Sequence, residues 1–142
     1  MNFLKGGLAV VTVTIVLNSI SFADVPPALP QLKSKPIDPV IKQLMKLQNA
    51  ERARYGIAPV KMHPKMNVQA QKHAEWMADT GWYQHSALPW MEIIYYGPRR
   101  AEDAINGWIW SRAHHGIMLS GRQAGYGYVV DERGAYWVVV VK

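Results

Sequence analysis

Apolar residues recur at helical spacing along the first half of the chain. Leu44 and Leu47 fall near one face of a helix, together with neighbouring apolar positions. Asp38 before Pro39 is a typical helix start, because Asp caps free backbone N–H groups and Pro suits the first helical position. We therefore expect a first helix that begins at Asp38-Pro39 and stops at Gly56.

A second stretch with helical periodicity runs from Pro64 to Thr80, and Gly81 is expected to end it. One chargeable residue, His73, lies on its apolar stripe, and we interpret it as a core histidine hydrogen-bonded to a neighbour. His63, which precedes this helix, is interpreted as solvated. The stripe consists of Met66, Ala70, His73 and Met77.

The second half of the chain mixes helical and strand patterns. Glu92 to Tyr96 suits a short strand, Ala101 to Trp110 a third helix, and His114 to Leu119 a short helical turn. Gly125 to Val130 then alternates at strand spacing, and after a polar turn Tyr136 to Val141 is a nearly continuous apolar strand. This order predicts an α+β fold with helices packed on an antiparallel sheet.

Residues 1–23 have the layout of a secretory signal peptide. Lys5 supplies a positive start, an apolar run follows from Leu8 to Leu17, and Ser21-Phe22-Ala23 is a small-x-small cleavage site. The apolar run is shorter than the roughly 20 residues that a membrane span needs. We expect cleavage near Ala23 and a periplasmic or extracellular protein, with an uncleaved membrane anchor as the alternative.

The remaining chain divides into a tether and one domain. Residues 24–37 are rich in proline, which is typical of a tether, and residues 38–142 form the predicted domain. Cysteine is absent from the sequence, so packing rather than disulfides must hold an exported domain together. This favours a bacterial origin, because small exported eukaryotic domains usually carry disulfides.

The chain is basic, with a formal net charge of +6 at pH 7. This charge favours anionic partners such as envelope polymers or lipid head groups. The basic residues are scattered, and Arg99-Arg100 is the only adjacent pair in the sequence. Because no basic run is interleaved with aromatic residues, the sequence argues against nucleic-acid binding.

Three chargeable side chains in the second half of the chain lie in apolar surroundings. His85 follows an aromatic run, Glu92 lies in an apolar stretch, and His114 follows a tryptophan-bearing helix. Burying such groups costs free energy unless they are paired. We therefore predict that the three side chains share one polar site.

Several short motifs occur in order along residues 38–142. They are Asn49-Ala50-Glu51-Arg52 followed by Gly56, Tyr83-Gln84-His85-Ser86, Glu92-Ile93-Ile94, Trp108 to His114, and Gly125-Tyr126-Gly127. Their order and spacing resemble the CAP superfamily (cysteine-rich secretory protein, antigen 5 and pathogenesis-related-1), also called the SCP domain, in its cysteine-free bacterial type.

The resemblance implies a three-layer α-β-α sandwich, an antiparallel sheet flanked by helices, with a cleft lined by His85, Glu92 and His114. Related members bind zinc in this cleft, so His85 and His114 are the implied zinc ligands, with water completing the shell. The sequence departs from the family at Ser111, where eukaryotic members often carry a second glutamate, and at Arg112, where the usual residue is proline. The cleft therefore keeps at most two histidines and one carboxylate.

Four aromatic residues close to the cleft in sequence are candidate ligand contacts: Trp82, Trp90, Tyr95 and Tyr96. If they line the cleft or its rim, a sugar or lipid would stack on them. Some family members bind sterols or fatty acids. The alternative interpretation of the cluster is core packing.

Three functional hypotheses follow. The first is an exported bacterial binding module without catalysis, whose polar cleft takes a divalent metal and whose partner is a small molecule, a lipid or an envelope component. The second is a metal-assisted peptide or ester hydrolase with Glu92 as general base or third ligand. The third is a structural network in which His85, Glu92 and His114 satisfy one another. The absence of a cysteine or serine-elbow nucleophile argues against an enzyme.

Overall fold

The computed structural model describes residues 37–142. The signal peptide predicted over residues 1–23 and residues 24–36 of the predicted tether lie outside the described residues. The helices and strands, in chain order, are α1 (Pro39–Arg54), β1 (Lys61–Met62), α2 (Pro64–Thr80), β2 (Met91–Gly97), α3 (Ala101–Ile109), α4 (Arg112–Leu119), β3 (Gln123–Asp131) and β4 (Gly134–Val141).

The strands form one sheet in the order β1-β3-β4-β2. β4 pairs antiparallel with both neighbours, and all its residues are buried, as its continuous apolar sequence predicts. The short strand β1 was not predicted, and it pairs parallel with the start of β3 through Lys61 and Met62. The sheet is therefore mixed, with one parallel pair beside the predicted antiparallel strands.

Two helical layers cover the sheet, because side chains of β4 alternate between its faces. Trp137 and Val139 pack into a core shared with α1, α3 and α4. Tyr136 and Val138 pack on the other face, against α2. The described residues thus form the predicted three-layer α-β-α sandwich.

Helix α2 approaches β3 unusually closely. A Cβ atom added at Gly125 would lie 2.2 Å from the backbone of Met66, and one at Gly127 would lie 2.2 Å from the carbonyl oxygen of Ala70. Side chains larger than glycine would push the helix away from the sheet at both positions. The alternating glycines of the closing hairpin therefore fix the distance between these two layers.

Helix α2 also covers the free edge of β3 with two amide side chains. Asn67 Oδ1 accepts a hydrogen bond from the backbone N–H of Tyr126 at 2.8 Å. Gln71 pairs with both backbone groups of Tyr128, at 3.0 and 3.1 Å. The side chains replace a neighbouring strand and satisfy backbone groups that an open edge would leave available.

The helix termini follow the local sequence signals. Asp38 caps α1 by accepting from the N–H of Val40 at 2.8 Å. Gly81 ends α2 in the left-handed conformation, with φ +73°. The interpretation of His63 as merely solvated is wrong, because its ring nitrogen caps α2 by accepting from Met66 N–H at 3.4 Å. Among residues 37–142, none of the helices is long and apolar enough to cross a membrane.

Candidate functional site

The polar face of α1 connects this helix to the helix that carries His114. The side chain of Arg52 is buried and sits at the C-terminal end of α4, where a cation is favoured by the helix dipole. Its guanidinium donates hydrogen bonds of 2.6–3.1 Å to four backbone carbonyls, those of Ala58, Met118, Ser120 and Gly121. One side chain therefore holds the end of α4 and the two adjoining loops.

Two amides beside Arg52 complete this connection. Asn49 pairs with both backbone groups of Val60, as a neighbouring strand would, accepting at 2.9 Å and donating at 3.3 Å. Gln48 is buried and donates to the carbonyl of Met118 at 3.0 Å, and it accepts from the hydroxyl of Tyr126 at 2.7 Å. Burial raises the pKa of Tyr126, so its hydroxyl stays a neutral donor.

Glu51 and His115 form a second contact between α1 and α4. His115 Nε2 lies 2.9 Å from Glu51 Oε1, and Arg54 lies 3.1 Å from the other carboxylate oxygen. The ring of Tyr55 meets the imidazole edge-on, with centroids 5.4 Å apart. The side chain of His115 is only 18% exposed. Glu51 therefore holds the residue next to His114.

His85 and Glu92 are in direct contact at the start of β2. His85 Nδ1 lies 2.9 Å from Glu92 Oε1. The same oxygen accepts from the backbone N–H of Ser86 at 2.8 Å, and Oε2 accepts from the Ser86 hydroxyl at 2.5 Å. The hydroxyl in turn accepts from the N–H of Leu88 at 3.1 Å. The carboxylate thus fixes the loop between α2 and β2 by hydrogen bonds.

The contact leaves one ring nitrogen of His85 for other partners. Its Nδ1 atom faces Glu92, while 56% of the side chain is exposed. The side chain of Glu92 is only 6% exposed. A carboxylate that holds Nδ1–H fixes the tautomer in which Nε2 carries a lone pair. His85 can therefore accept a hydrogen bond or coordinate an ion through Nε2.

His114 lies within electrostatic range of His85. Burial lowers the pKa of His114, and the charge of His85 lowers it further. Both effects favour a neutral imidazole, which is the form that binds a metal ion or accepts a proton. In residues 37–142, no hydrogen bond joins His114 to His85 or to Glu92. The structure thus joins His85 and Glu92 directly, and the charge of His85 acts on His114 without a hydrogen bond between them.

The donor set for a metal is small. No group of three or more His, Cys, Asp or Glu side chains that could hold a metal ion occurs within residues 37–142. Two imidazoles are fewer than the three protein ligands of a typical catalytic zinc site, and Glu92 already faces His85 and Ser86. Zinc uptake at His85 and His114, with water in the remaining positions, stays a prediction.

The four aromatic candidates occupy different environments. Trp82 is exposed on the loop after α2, whereas Trp90 packs against the core beside α2. Tyr95 packs edge-on against Trp108. Tyr96 is partly exposed and lies 4.8 Å, centroid to centroid, from Tyr136. Packing explains Trp90 and Tyr95, and ligand contact by any of the four stays a prediction.

Two grooves lie beside these elements. One, of about 310 Å³, is bounded by α2 and by the loop segment Ser86–Leu88, so it shares Ser86 with the Glu92 network. A larger groove of about 840 Å³ lies between the start of α1, α2 and the edge of β3. None of His85, Glu92 and His114 lines the larger groove, so it is separate from the predicted cleft.

Sequence reasoning missed the part played by two residues. Ser86 was noted only as part of a motif, yet it supplies two of the three hydrogen bonds to Glu92. Glu51 was noted only as part of a motif, yet it pairs with His115. Helical spacing gives a partial signal, because Gln48, Glu51 and Arg52 fall on one face of α1 and all three are buried.

The arrangement of α1, the closing hairpin and the His85–Glu92 contact can be compared with known proteins. The model of the CAP family, described as the cysteine-rich secretory protein family, matches residues 45–142. The chain belongs to the CAP family. Curated relatives of this CAP-domain protein include pathogenesis-related protein PRMS from Zea mays, which is 30% identical over 82 residues. That match covers 55% of this chain, and the chain spans about half, 49%, of that relative.

Solved structures share the fold at low sequence identity. An outer surface protein from Borrelia burgdorferi is 13% identical with a TM-score of 0.64, covering 70% of this chain and 89% of that one. A cysteine-rich secretory protein from Staphylococcus aureus is 18% identical with a TM-score of 0.53, covering 75% of this chain and 41% of that one. These similarities establish the CAP fold of the described residues and leave ligand and activity to be argued from the site.

Proposed function

We propose that this CAP-domain protein is an exported bacterial binding module without catalytic activity, and that its ligand approaches the exposed edge of His85. The observation that carries the proposal is the hydrogen bonding and burial of the Glu92 side chain. Both of its carboxylate oxygens already accept hydrogen bonds, and its side chain is almost fully buried. Such a carboxylate orients an imidazole and a loop, which are roles in binding.

The same hydrogen bonds, together with the burial of the Glu92 side chain, which is only 6% exposed, argue against the hydrolase alternative. A general base needs a lone pair within hydrogen-bond reach of the water that it deprotonates. Glu92 Oε1 accepts from two groups, and Oε2 accepts from the Ser86 hydroxyl at 2.5 Å.

His85 and His114 supply the proposed ligand contacts. The lone pair of His85 Nε2 faces away from Glu92 and accepts a hydrogen bond from a ligand. The pKa of His114 is lowered by burial and by the charge of His85, which favours a second neutral imidazole within the electrostatic influence of the first. Suitable ligands are small molecules, lipid head groups or envelope components that offer hydrogen-bond donors, or a divalent ion with water in its remaining positions.

Export is supported by the sequence and by the names of relatives. Residues 1–23 have the layout of a signal peptide, and the chain has no cysteine. Two proteins with the same fold are described as an outer surface protein and as a cysteine-rich secretory protein, both from bacteria. We therefore propose a periplasmic or extracellular location in a bacterium.

A paired measurement tests the proposal. Zinc ions serve as the probe in calorimetry, and a panel of peptide and ester substrates tests for turnover. We expect weak zinc binding that is lost in His85→Ala and retained in the control His63→Gln, together with no turnover. Turnover that Glu92→Gln abolishes while the variant stays folded would establish the hydrolase instead. Zinc binding unchanged in His85→Ala would remove the assigned contact.

A further inference from the structure

The outer surface of α2 carries an aromatic platform that the proposed cleft does not use. The rings of His73 and Trp76 stack nearly parallel, with an angle of 12° and centroids 5.7 Å apart. Trp76 is 39% exposed. His73 Nε2 bonds to the carbonyl oxygen of Gln84 at 2.9 Å, which fixes its ring against the loop after α2. The tryptophan therefore has a rigid support and an open side.

The platform forms one wall of the groove of about 310 Å³. Ala87 and Leu88 supply apolar surface from the loop between α2 and β2, and Gln69 and Lys72 add an amide and an ammonium group from α2. This volume is at the lower end of the range for small-molecule sites. The groove thus combines one aromatic face with hydrogen-bonding groups at its margin.

We propose that this groove, bounded by Trp76, Gln69 and the Ala87-Leu88 segment, binds a pyranose ring of a saccharide. A pyranose has an apolar C–H face, which stacks on an indole, and a rim of hydroxyl groups, which bond to amides and ammonium groups. A lipid chain would find too little continuous apolar surface here. The saccharide site does not use His85, since that residue does not line the groove, although its neighbour Ser86 does.

Calorimetry with two probes tests the saccharide site in the whole protein. Chitotetraose is a neutral probe and tetragalacturonate an anionic one, and we expect both to bind. Trp76→Ala should weaken both by about tenfold or more, because the stacking surface is lost. Trp76→Phe should restore part of the affinity. The control Trp110→Ala removes a tryptophan that is 89% exposed at the end of α3, in the other helical layer, and should change neither affinity.

Further variants distinguish ring stacking from simple charge attraction, and the saccharide site from the His85 cleft. Gln69→Ala should weaken both probes without removing an aromatic residue, and Lys72→Ala should weaken the anionic probe alone. His85→Ala should leave both affinities unchanged, so the saccharide site and the proposed cleft fail separately. The proposal is overturned if neither probe binds at millimolar concentration or if Trp76→Ala binds like the wild type. It is also overturned if adenosine, tested as a non-saccharide ligand, gives heat of binding and neither saccharide does.

Discussion

Two histidine–glutamate contacts of the same length, 2.9 Å, occur in different parts of this molecule. In the loop contact, His85 uses Nδ1 and more than half of its side chain is exposed. In the helix contact, His115 uses Nε2 and its side chain is largely buried between α1 and α4. Both glutamates are buried, so the difference lies in the imidazoles.

The difference shows that a histidine–glutamate pair can serve two roles, depending on how deeply the imidazole is buried. The loop contact leaves a ring nitrogen facing solvent, so the carboxylate serves to orient a group that can meet a ligand. The helix contact encloses the imidazole, and Tyr55 packs on its edge. That contact joins two helices and leaves no comparable opening for a ligand.

The largest expected effect separates the two glutamates by global stability. Glu51→Ala removes the partner of His115 from a buried position, and we expect the free energy of unfolding to fall by about 2–3 kcal/mol. Urea denaturation followed by far-UV circular dichroism measures this loss. His85→Ala is the control, and its loss should stay below about 1 kcal/mol because the ring is largely exposed. Equal losses in the two variants would remove the distinction between the contacts.

A smaller and more local effect is expected at the other glutamate. Glu92→Ala leaves the Ser86 N–H and hydroxyl without their acceptor, and we expect a loss of about 1–2 kcal/mol. Hydrogen exchange should show lost protection in the loop between α2 and β2, with little change in α1 and α4. If α4 loses protection as much as the loop, Glu92 supports the whole domain and the contact is not local.

The smallest expected effect is a pH dependence at His114, which lies in sequence beside one contact and in space near the other. Its pKa in the folded protein lies below the usual 6.5 because of burial and the charge of His85. The unfolded chain therefore binds more protons between the folded pKa and 6.5, so stability falls as pH falls through that window. Denaturation at pH 7.5 and 5.5 measures the change.

His114→Gln should reduce this pH dependence, because glutamine does not titrate. His63→Gln provides a comparison at a histidine outside the candidate site. A pH dependence that remains unchanged in His114→Gln would show that the surroundings of His114 do not set it. A pH dependence of stability that is reduced in His114→Gln but not in His63→Gln would mark His114 as a neutral imidazole near neutral pH, as the proposed ligand contact requires.

Local signals in the sequence were sufficient for most elements. Pro64 and Gly81 mark the ends of α2, because proline suits a first helical turn and glycine adopts the left-handed conformation at low cost. The unbroken apolar run of β4 predicts a strand covered on both faces. β1 escaped prediction because two residues are too few for a periodic pattern.

The candidate site also has a part that the sequence predicted and a part that it did not. The family motifs and the apolar setting of Glu92 pointed to the His85 contact and to His114, but no local signal predicted that His115 would be the enclosed imidazole. Their difference arises when α4 packs on α1, because only one of two adjacent helical side chains then faces Glu51.

The sequence by itself determined the helices, the central strands and the family, because caps, turns and periodicity act over a few residues. Tertiary structure decided which imidazole is enclosed, which groups bond to the two buried carboxylates and how closely α2 approaches β3. Those outcomes depend on contacts between residues as far apart as Glu51 and His115, which no local pattern contains. Burial then sets the chemistry, since the same pair of side chains behaves differently in solvent and between two helices.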